Sequence, residues 1–436
     1  MAESGTGMAI EDSARFPVVF RAMMHQRTYC RSGLLFALAL VVLPGSTGCR
    51  HHDKKLETKK PPAPGLAANH TIDSQVVRPT VTSLAATFEA MPPNPVAKKP
   101  LNALALSGGG QYAAFNAGLL LGWTASGKRP SFDAVTGVSS GALVGLYAFL
   151  GPKYDPRLQF FFTTLQDKDI FRYRPIYELV NNGALADPQR MKKLFETEIN
   201  DCMLMDIRDA HAEGRRFYVA TMNLKTRRVC IWDVGAIASS GRPDAGELVR
   251  KIILAAASIP GLLPSVHFDY EVDGQRFKEE HVDGGAASQT FLRLGPGAIR
   301  PDNDRLLWLK GSNLYAMAAG KLYPPLLKDD PGFIRRVTST VSAALYALYR
   351  SELMGLYAFC AVSGMKFQML AIPDDTEVPG NSMTFDPVAM KKLFALGYDL
   401  SKEKIAWRLT PPGGEPGEEE PTRDATDLLP TPPTKR

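Results

Sequence analysis

Cysteine is scarce in this sequence, and no cysteine motif typical of metal sites is present. The 436 residues include five cysteines, widely spaced, with no Cys-x-x-Cys and no Cys/His cluster. This excludes a disulfide framework and a clustered metal site as the basis of the fold. The formal charge is only +6, and the basic residues are scattered without interleaved aromatic residues, so the composition argues against nucleic-acid binding.

The N-terminal region lacks an apolar run long enough to span a bilayer. The run from Leu34 to Leu43 is of signal-peptide length, and Arg27 and Arg31 precede it. Pro44 then ends any helix. The pattern predicts a signal segment over residues 1–48, and the long stretch before the basic residues indicates two alternative starts to the protein, Met23 and Met24.

Small residues lead from this segment to Cys49 in the stretch "GSTGC". The arrangement resembles a bacterial lipoprotein signal, in which the cysteine is acylated and becomes the first residue of the mature chain. Ser46 stands where such signals usually have leucine, so ordinary signal-peptidase cleavage near Gly48 stays open as the alternative. We expect an exported protein that associates with the membrane of the cell envelope through a lipid anchor on Cys49.

Two flanking regions lack the apolar content needed to form a core. Residues 49–100 contain "KKPPAPG" and "MPPNPVAKKP", which predict a proline-rich tether. Residues 406–436 are rich in proline and glutamate and are predicted to be disordered. The folded domain is therefore expected over residues 101–405, where the apolar residues of this 45% hydrophobic chain can form a core.

Apolar strands and amphipathic helices alternate across this domain, which predicts an α/β fold with a largely parallel sheet. The stretch Phe333 to Phe359 carries charged residues, so we expect a packed helix there and not a membrane span. The expected strands are "NALAL", "DAVTGV", "DRLLWL" and "MKFQMLAIP", with "RRFYVATMNL" and "RRVCIWDV" as a strand pair. The other expected helices are Gln111 to Trp123, "GALVGLYAFLG", "PQRMKKLFETEI", "AGELVRKIILAAAS" and "PVAMKKLFALGYDL".

Three consecutive glycines, Gly108 to Gly110, separate the first strand from the helix that follows. Together with Ala113 they fit the G-x-G-x-x-A fingerprint of dinucleotide sites, and Asp133 follows about 20 residues later. A ribose-binding acid belongs at the carboxyl end of the second strand, whereas Asp133 precedes that strand. A dinucleotide site is therefore disfavoured, and the absence of a following Gly-Lys-Ser/Thr disfavours a P-loop.

The end of the second strand carries a G-x-S-x-G pattern in "TGVSSGAL". At a strand-to-helix junction this pattern predicts a nucleophile elbow, and only Ser139, not its neighbour Ser140, has glycines two positions away on both sides. Attack by a serine on an ester carbonyl produces an oxyanion, which backbone N–H groups can stabilise. We therefore expect an oxyanion hole formed by the N–H groups of Gly108, Gly109 and Gly110, joined by that of Ser140.

A serine nucleophile needs a base, and two kinds of residue are available. Among the histidines of the folded region, His281 and His267 lie near plausible loops, and His211 does not. Asp283 is followed by two glycines in "HVDGGAAS", which would let a carboxylate enter a crowded site. Asp273 in "VDGQ" is a second Asp-Gly, which we interpret as a hairpin turn. Asp283 is the favoured base, and His281, two residues away on an extended segment, stays open as the alternative.

With the glycine loop, the elbow serine and the Asp-Gly-Gly motif in this order, the sequence resembles the patatin-like phospholipases over about Leu101 to Lys404. The stretches "AAASIPGLLPSVHF" and "FDPVAMKKLFALG" also resemble family segments. The resemblance implies a three-layer α/β/α fold, a mostly parallel central sheet and a catalytic Ser-Asp dyad. On this sequence the dyad falls on Ser139 and Asp283, and the oxyanion loop falls on Gly108 to Gly110.

The resemblance implies an acyl hydrolase of lipids that needs no cofactor. Tyr112 stands where the family commonly has Arg or Lys, and Ala113 replaces a glycine, so the sequence indicates acyl esters more firmly than phospholipids. Apolar segments at Leu143 to Leu150 and Leu262 to Leu263 are candidates for an acyl groove, although core packing is the favoured role. The alternative function is a lipid-binding or partner-binding lipoprotein of the same fold with weak catalysis.

Overall fold

The computed structural model describes residues 100–175, 183–272, 275–294, 309–324, 332–416 and 418. The predicted signal segment, Cys49 and the tether before residue 100 lie outside the described residues, as does Asp273. Among the described residues, no helix is both long enough and apolar enough to cross a membrane.

The centre of the fold is an eight-stranded sheet in the order β10-β9-β1-β2-β5-β8-β7, with β6 paired to β5 as well. The pairs from β10 to β5 are parallel, and the pairs of β5 with β6 and β8, and of β8 with β7, are antiparallel. Strands β3 and β4 form a separate two-stranded sheet. The strands are β1 Asn102–Leu106, β2 Ala134–Val138, β3 Arg172–Tyr173, β4 Ala186–Asp187, β5 Arg216–Asn223, β6 Arg228–Asp233, β7 Val266–Val272, β8 Gln275–Asp283, β9 Asn313–Met317 and β10 Lys366–Leu370.

Helices cover both faces of the sheet, which explains why β1 is apolar at nearly every position. Leu104 and Leu106 belong to one buried cluster, whereas Ala103 and Ala105 belong to another. Because successive side chains of a strand point to opposite faces, the two clusters lie on opposite sides of the sheet. The result is a mixed α/β fold with three layers and a mostly parallel central sheet, as predicted.

The larger cluster contains residues of several helices, and the smaller contains the buried residues of one long helix, Phe333–Ser363. The helices are α1 Ala113–Ala125, α2 Ser140–Leu150, α3 Asp155–Thr164, α4 Asp167–Ile170, α5 Gln189–Glu198, α6 Asp201–Ala212, α7 Val234–Ala238, α8 Ala245–Ala256, α9 Phe333–Ser363 and α10 Pro387–Ser401. The helical segments that periodicity predicts all occur. Helices α3, α4, α6 and α7 were not predicted.

Three features differ from the sequence-based expectations. The strand expected in "DRLLWL" is not seen at Leu309, which lies in a turn, while residues 304–308 are outside the described part; β9 begins at Asn313 instead. A hairpin turn was expected at Asp273, but its two antiparallel strands, β7 and β8, were not among the predicted strands: β7 alternates apolar and polar residues, and the first half of β8 is mostly polar and charged. The described chain also continues past residue 405, where Arg408 forms a β-bridge with Met369.

Candidate active site

Ser139 occupies a strained turn between β2 and α2. Its φ of 53° and ψ of −131° are backbone angles that residues other than glycine rarely adopt. A Cβ on Gly137 would lie 2.5 Å from the Gly141 carbonyl oxygen, and a Cβ on Gly141 would lie 2.5 Å from the Ser107 carbonyl oxygen. Both flanking glycines are therefore required by close backbone approach, which is the geometry of a nucleophile elbow.

The pairing of β5 determines which residue meets Ser139. Because β6 occupies one edge of β5, strands β2 and β8 must share the other edge. On that edge Val138 lies opposite Ala220 and Asp283 lies opposite Thr221, so the two strands meet end to end. Ser139 is the next residue after Val138, and its hydroxyl donates a hydrogen bond to Asp283 Oδ2 at 2.5 Å. The structure thus joins two residues 144 positions apart in the chain.

Burial dominates the electrostatics of Asp283. The residue is 4% exposed, and this burial raises the pKa of Asp283 from 3.8 to about 6. The hydrogen bond from Ser139 and one from the Gly285 backbone, 2.7 Å from Oδ1, lower the pKa and oppose part of that rise. The backbone N–H of Asp283 donates to the Ser258 carbonyl at 2.9 Å. A carboxylate with a pKa near neutrality is well suited to accept and return a proton.

The two glycines after Asp283 have different structural reasons. A Cβ on Gly284 would lie 2.7 Å from the Ala220 carbonyl oxygen, so the turn can pack against β5 only with glycine. Gly285 donates its N–H to the carboxylate, and its carbonyl accepts a hydrogen bond from the Gln289 side chain. The Asp-Gly-Gly motif therefore fixes the orientation of the Asp283 carboxylate.

His281 is fully buried, and its two ring nitrogens lie within hydrogen-bond distance of Glu279 and Thr221. Its Nε2 lies 3.0 Å from Glu279 Oε2, and since a carboxylate can only accept, we assign the ring proton to Nε2. Its Nδ1 lies 2.8 Å from the Thr221 hydroxyl, which also accepts the indole N–H of Trp232 at 2.7 Å. The other described histidines have acidic neighbours elsewhere, His267 at Glu280 and His211 at Asp233.

The glycine loop leaves β1 next to the end of β2, since Leu106 lies opposite Gly137. A Cβ on Gly108 would be 2.8 Å from the Ser139 Cβ, so the loop passes directly against the serine. Gly109 packs against the Ala319 carbonyl. Gly110 has a φ of +55° and begins the turn into α1. All three glycines that sequence analysis assigned to an oxyanion hole thus belong to one loop beside Ser139.

Ser140 is the first residue of α2, where backbone N–H groups have no partner within the helix. Its N–H is therefore available at the positive end of the helix dipole, next to Ser139. The Ser140 hydroxyl oxygen is buried and has no hydrogen-bond partner in the described part of the chain.

Two polar residues that sequence analysis missed hold the loops of this site. Ser107 donates to the Gly108 carbonyl at 2.9 Å and accepts the Ala319 N–H at 2.9 Å. Glu352 of α9 accepts the backbone N–H groups of residues 289 and 290 at 2.8 and 3.0 Å. Burial raises the pKa of Glu352. A single acid in a long apolar helix could have indicated Glu352, whereas a serine before a glycine loop gives no such signal.

The remaining sequence candidates lie elsewhere or have structural roles. The Asp133 carboxylate accepts the Asn102 N–H at 2.8 Å at the start of β1, the end of the sheet opposite the glycine loop, which argues against a dinucleotide site.

The Tyr112 hydroxyl donates to the Pro379 carbonyl, and burial raises the pKa of Tyr112 to about 12. Leu262 and Leu263 are buried in the larger cluster, in agreement with core packing. Within the described ranges, no group of three or more His, Cys, Asp and Glu side chains is arranged to hold a metal ion.

Comparison with known proteins identifies a family domain in this region. Residues 104–294 match the family described as Patatin-like phospholipase, a range that includes Ser139, Asp283 and the glycine loop. No curated protein gives a significant match. The solved structures similar to the chain include VipD from Legionella pneumophila, at 10% identity with a TM-score of 0.33, and the type III effector protein ExoU, at 15% identity with a TM-score of 0.21. The alignments cover 69% and 70% of this chain but only 66% and 52% of those structures.

Proposed function

We propose that the patatin-like phospholipase domain at residues 104–294 makes this chain a serine hydrolase of lipid acyl esters, with Ser139 as nucleophile and Asp283 as general base. The observation that carries the proposal is the 2.5 Å hydrogen bond from the Ser139 hydroxyl to Asp283 Oδ2 at a strained elbow. A hydroxyl held against a carboxylate of raised pKa is the arrangement that base-assisted attack requires.

The proposed reaction has two steps. Ser139 attacks the acyl carbonyl carbon while its proton moves to Asp283, and the oxyanion that forms accepts hydrogen bonds from the glycine loop and the Ser140 N–H. Collapse of this intermediate breaks the ester bond, and the protonated Asp283 returns the proton to the leaving alcohol. Water then gives a proton to Asp283 as it attacks the acyl-enzyme, and the released serine recovers that proton. The glycine loop follows β1 and α2 follows β2, and these strands are adjacent and parallel, which supports a shared role at one carbonyl oxygen.

A fluorophosphonate probe on the purified full-length protein, with peptide mapping of the adduct, tests the nucleophile. We expect a single modified residue, Ser139, and hydrolysis of a p-nitrophenyl ester that falls by about 1,000-fold or more in Ser139→Ala. Ser126→Ala is the matched control, because the Ser126 hydroxyl donates to the Trp123 carbonyl and accepts the Lys128 N–H at the C-terminal end of α1. Modification of another residue, or none, would contradict the proposal and favour a lipid-binding protein with weak catalysis.

Asp283→Asn and His281→Ala together test the base. Asn keeps the size of the side chain but cannot accept the serine proton, so hydrolysis should fall by about 100-fold or more. His281→Ala should retain most of the activity of its folded fraction, which circular dichroism measures, because neither ring nitrogen contacts Ser139. Loss of activity in His281→Ala with retention in Asp283→Asn would require a histidine base instead.

Phospholipids and neutral acyl esters are both compatible with this chemistry. A panel of vesicles and emulsions, each with the same acyl chains and either a phosphate headgroup or none, would separate the two substrate classes. Since Tyr112 uses its hydroxyl on the Pro379 carbonyl and carries no charge at neutral pH, we expect hydrolysis of neutral acyl esters to be at least as fast as that of phospholipids.

Export and lipid attachment at Cys49 are part of the same proposal. The support is the order of basic residues, apolar run and small residues that ends at this cysteine. Mass spectrometry of the mature N-terminus after expression in a bacterial host should find an acylated Cys49. An unmodified mature chain that begins near Gly48 would instead show ordinary cleavage.

A further inference from the structure

One buried residue directly after the three glycines binds a distant segment of the chain with its backbone N–H and with both polar atoms of its side chain. Gln111 is 1% exposed. Its backbone N–H donates to the Ser382 carbonyl at 2.8 Å, its Nε2 donates to the Asn381 carbonyl at 2.5 Å, and its Oε1 accepts the Asp386 N–H at 3.3 Å. The partners lie about 270 positions further along the chain. We call residues 379–386 the outer segment.

The outer segment also contacts both neighbours of Gln111. The Tyr112 hydroxyl donates to the Pro379 carbonyl. Gly110 packs against the Ser382 carbonyl so closely that a Cβ on Gly110 would overlap it. The glycine loop therefore lies between two supports: Ser107 and Ala319 on the β1 side, and the outer segment on the other.

The outer segment is itself held in one conformation. The Asn381 side chain donates to Thr384 Oγ1 at 2.6 Å and accepts the Met383 N–H at 3.0 Å. The segment ends at α10, whose first turn is capped by the Asp386 carboxylate, 2.9 Å from the Val388 N–H. These bonds make the segment a rigid support, because its own carbonyl groups are oriented before Gln111 binds them.

From these contacts we infer that Gln111 is a positioning residue, which transmits the conformation of the outer segment to the oxyanion loop Gly108 to Gly110. The inference rests on the proposed function, since a positioned oxyanion loop matters only if Ser139 forms an oxyanion. Gly110 is at a positive φ, and the residue after it is fixed by three hydrogen bonds to one segment. Without these bonds the loop would have other accessible conformations in which its N–H groups point elsewhere.

Gln111→Met tests this role, because methionine keeps the length and burial of the side chain but removes both side-chain hydrogen bonds. We expect kcat for a p-nitrophenyl ester to fall by about 10- to 100-fold, with KM changed by less than about threefold, since a misaligned loop weakens binding of the transition state and not of the substrate. Gln368→Met is the matched control: Gln368 is a half-buried glutamine of β10 that bonds the Asn313 side chain at 3.3 Å. It should leave kcat and KM unchanged.

Asn381→Ala tests the path from the other end. This change loosens the outer segment without removing any bond to Gln111, whose partner is the Asn381 backbone carbonyl. We expect kcat to fall by about threefold in the natural background and not to fall further in Gln111→Met, because coupled residues give non-additive effects. Additive losses of kcat in the double variant, or an unchanged kcat in Gln111→Met, would overturn the inference.

The same measurements separate this inference from the proposed function. If Ser139→Ala hydrolyses the ester as fast as the natural protein, the proposed function fails, and the inference about Gln111 fails with it. If Ser139→Ala is inactive while Gln111→Met keeps the natural kcat, only the inference about Gln111 fails. A fall in the thermal midpoint of Gln111→Met with unchanged kcat of the folded protein would show that Gln111 only stabilises the fold, which also overturns the inference.

Discussion

Burial of the Asp283 carboxyl group predicts a conflict between activity and stability that pH should expose. The buried group has a pKa of about 6, compared with 3.8 in a solvated chain. Its folded state therefore holds the proton more tightly than its unfolded state. The stability that this group contributes is complete below the unfolded pKa and is lost as the pH rises through about 6. Above that pH, ionisation of Asp283 costs the folded protein about 3 kcal/mol.

Asp283→Asn removes this cost because asparagine never ionises. The variant should have nearly the same free energy of unfolding as the natural protein at pH 4, and should be more stable by up to about 3 kcal/mol at pH 8. Asparagine can still accept the Gly285 N–H and contact the Ser139 hydroxyl, so little else changes. In the natural protein, kcat/KM should rise with pH through about 6, since in the proposed mechanism only ionised Asp283 takes the serine proton.

Urea denaturation of both proteins at pH 4, 6 and 8 measures the difference. Asp399→Asn is the matched control, because the Asp399 side chain is 61% exposed and pairs with Lys402 on the surface of α10. Its effect should stay within about 0.5 kcal/mol at each pH. If Asp283→Asn is no more stable than the natural protein at pH 8, or if the difference does not change between pH 4 and pH 8, the reasoning about Asp283 burial is refuted.

Three further predictions follow from single contacts. His281→Ala should lower the free energy of unfolding by about 2–4 kcal/mol by urea denaturation, because it empties a fully buried position; an unchanged midpoint would contradict this packing. Gly109→Ala should reduce kcat by about 10-fold or more, since its Cβ would overlap the Ala319 carbonyl and displace the loop; a natural kcat would contradict that role. Asp155→Ala should destabilise the fold by about 3–5 kcal/mol, because it leaves Arg129, bound at 2.8 Å in a buried pair, without its partner; an effect below 1 kcal/mol would show that water compensates.

The parts of the fold that depend on neighbouring residues could be predicted from the sequence. Strands β1 and β2 are short apolar runs buried on both faces, and the helices after them carry apolar residues at helical spacing. The elbow at Ser139 depends on glycines two positions away, so a five-residue pattern contains the information. The match of residues 104–294 to the patatin-like phospholipase family agrees with the resemblance that these motifs indicate.

What the sequence could not indicate is which distant backbone meets the site, because backbone carbonyl and N–H groups carry no residue-specific signal. Gln111 binds three backbone groups of the outer segment, any of which another sequence could present equally well. Likewise, Asp283 reaches Ser139 because β8 takes the edge of β5 that β2 leaves open beyond Ala220. Had β8 instead paired with β6, the same Asp-Gly-Gly motif would lie at a different part of the sheet. The geometry of the candidate site is therefore set by strand order, and the motifs determine only which side chains it brings together.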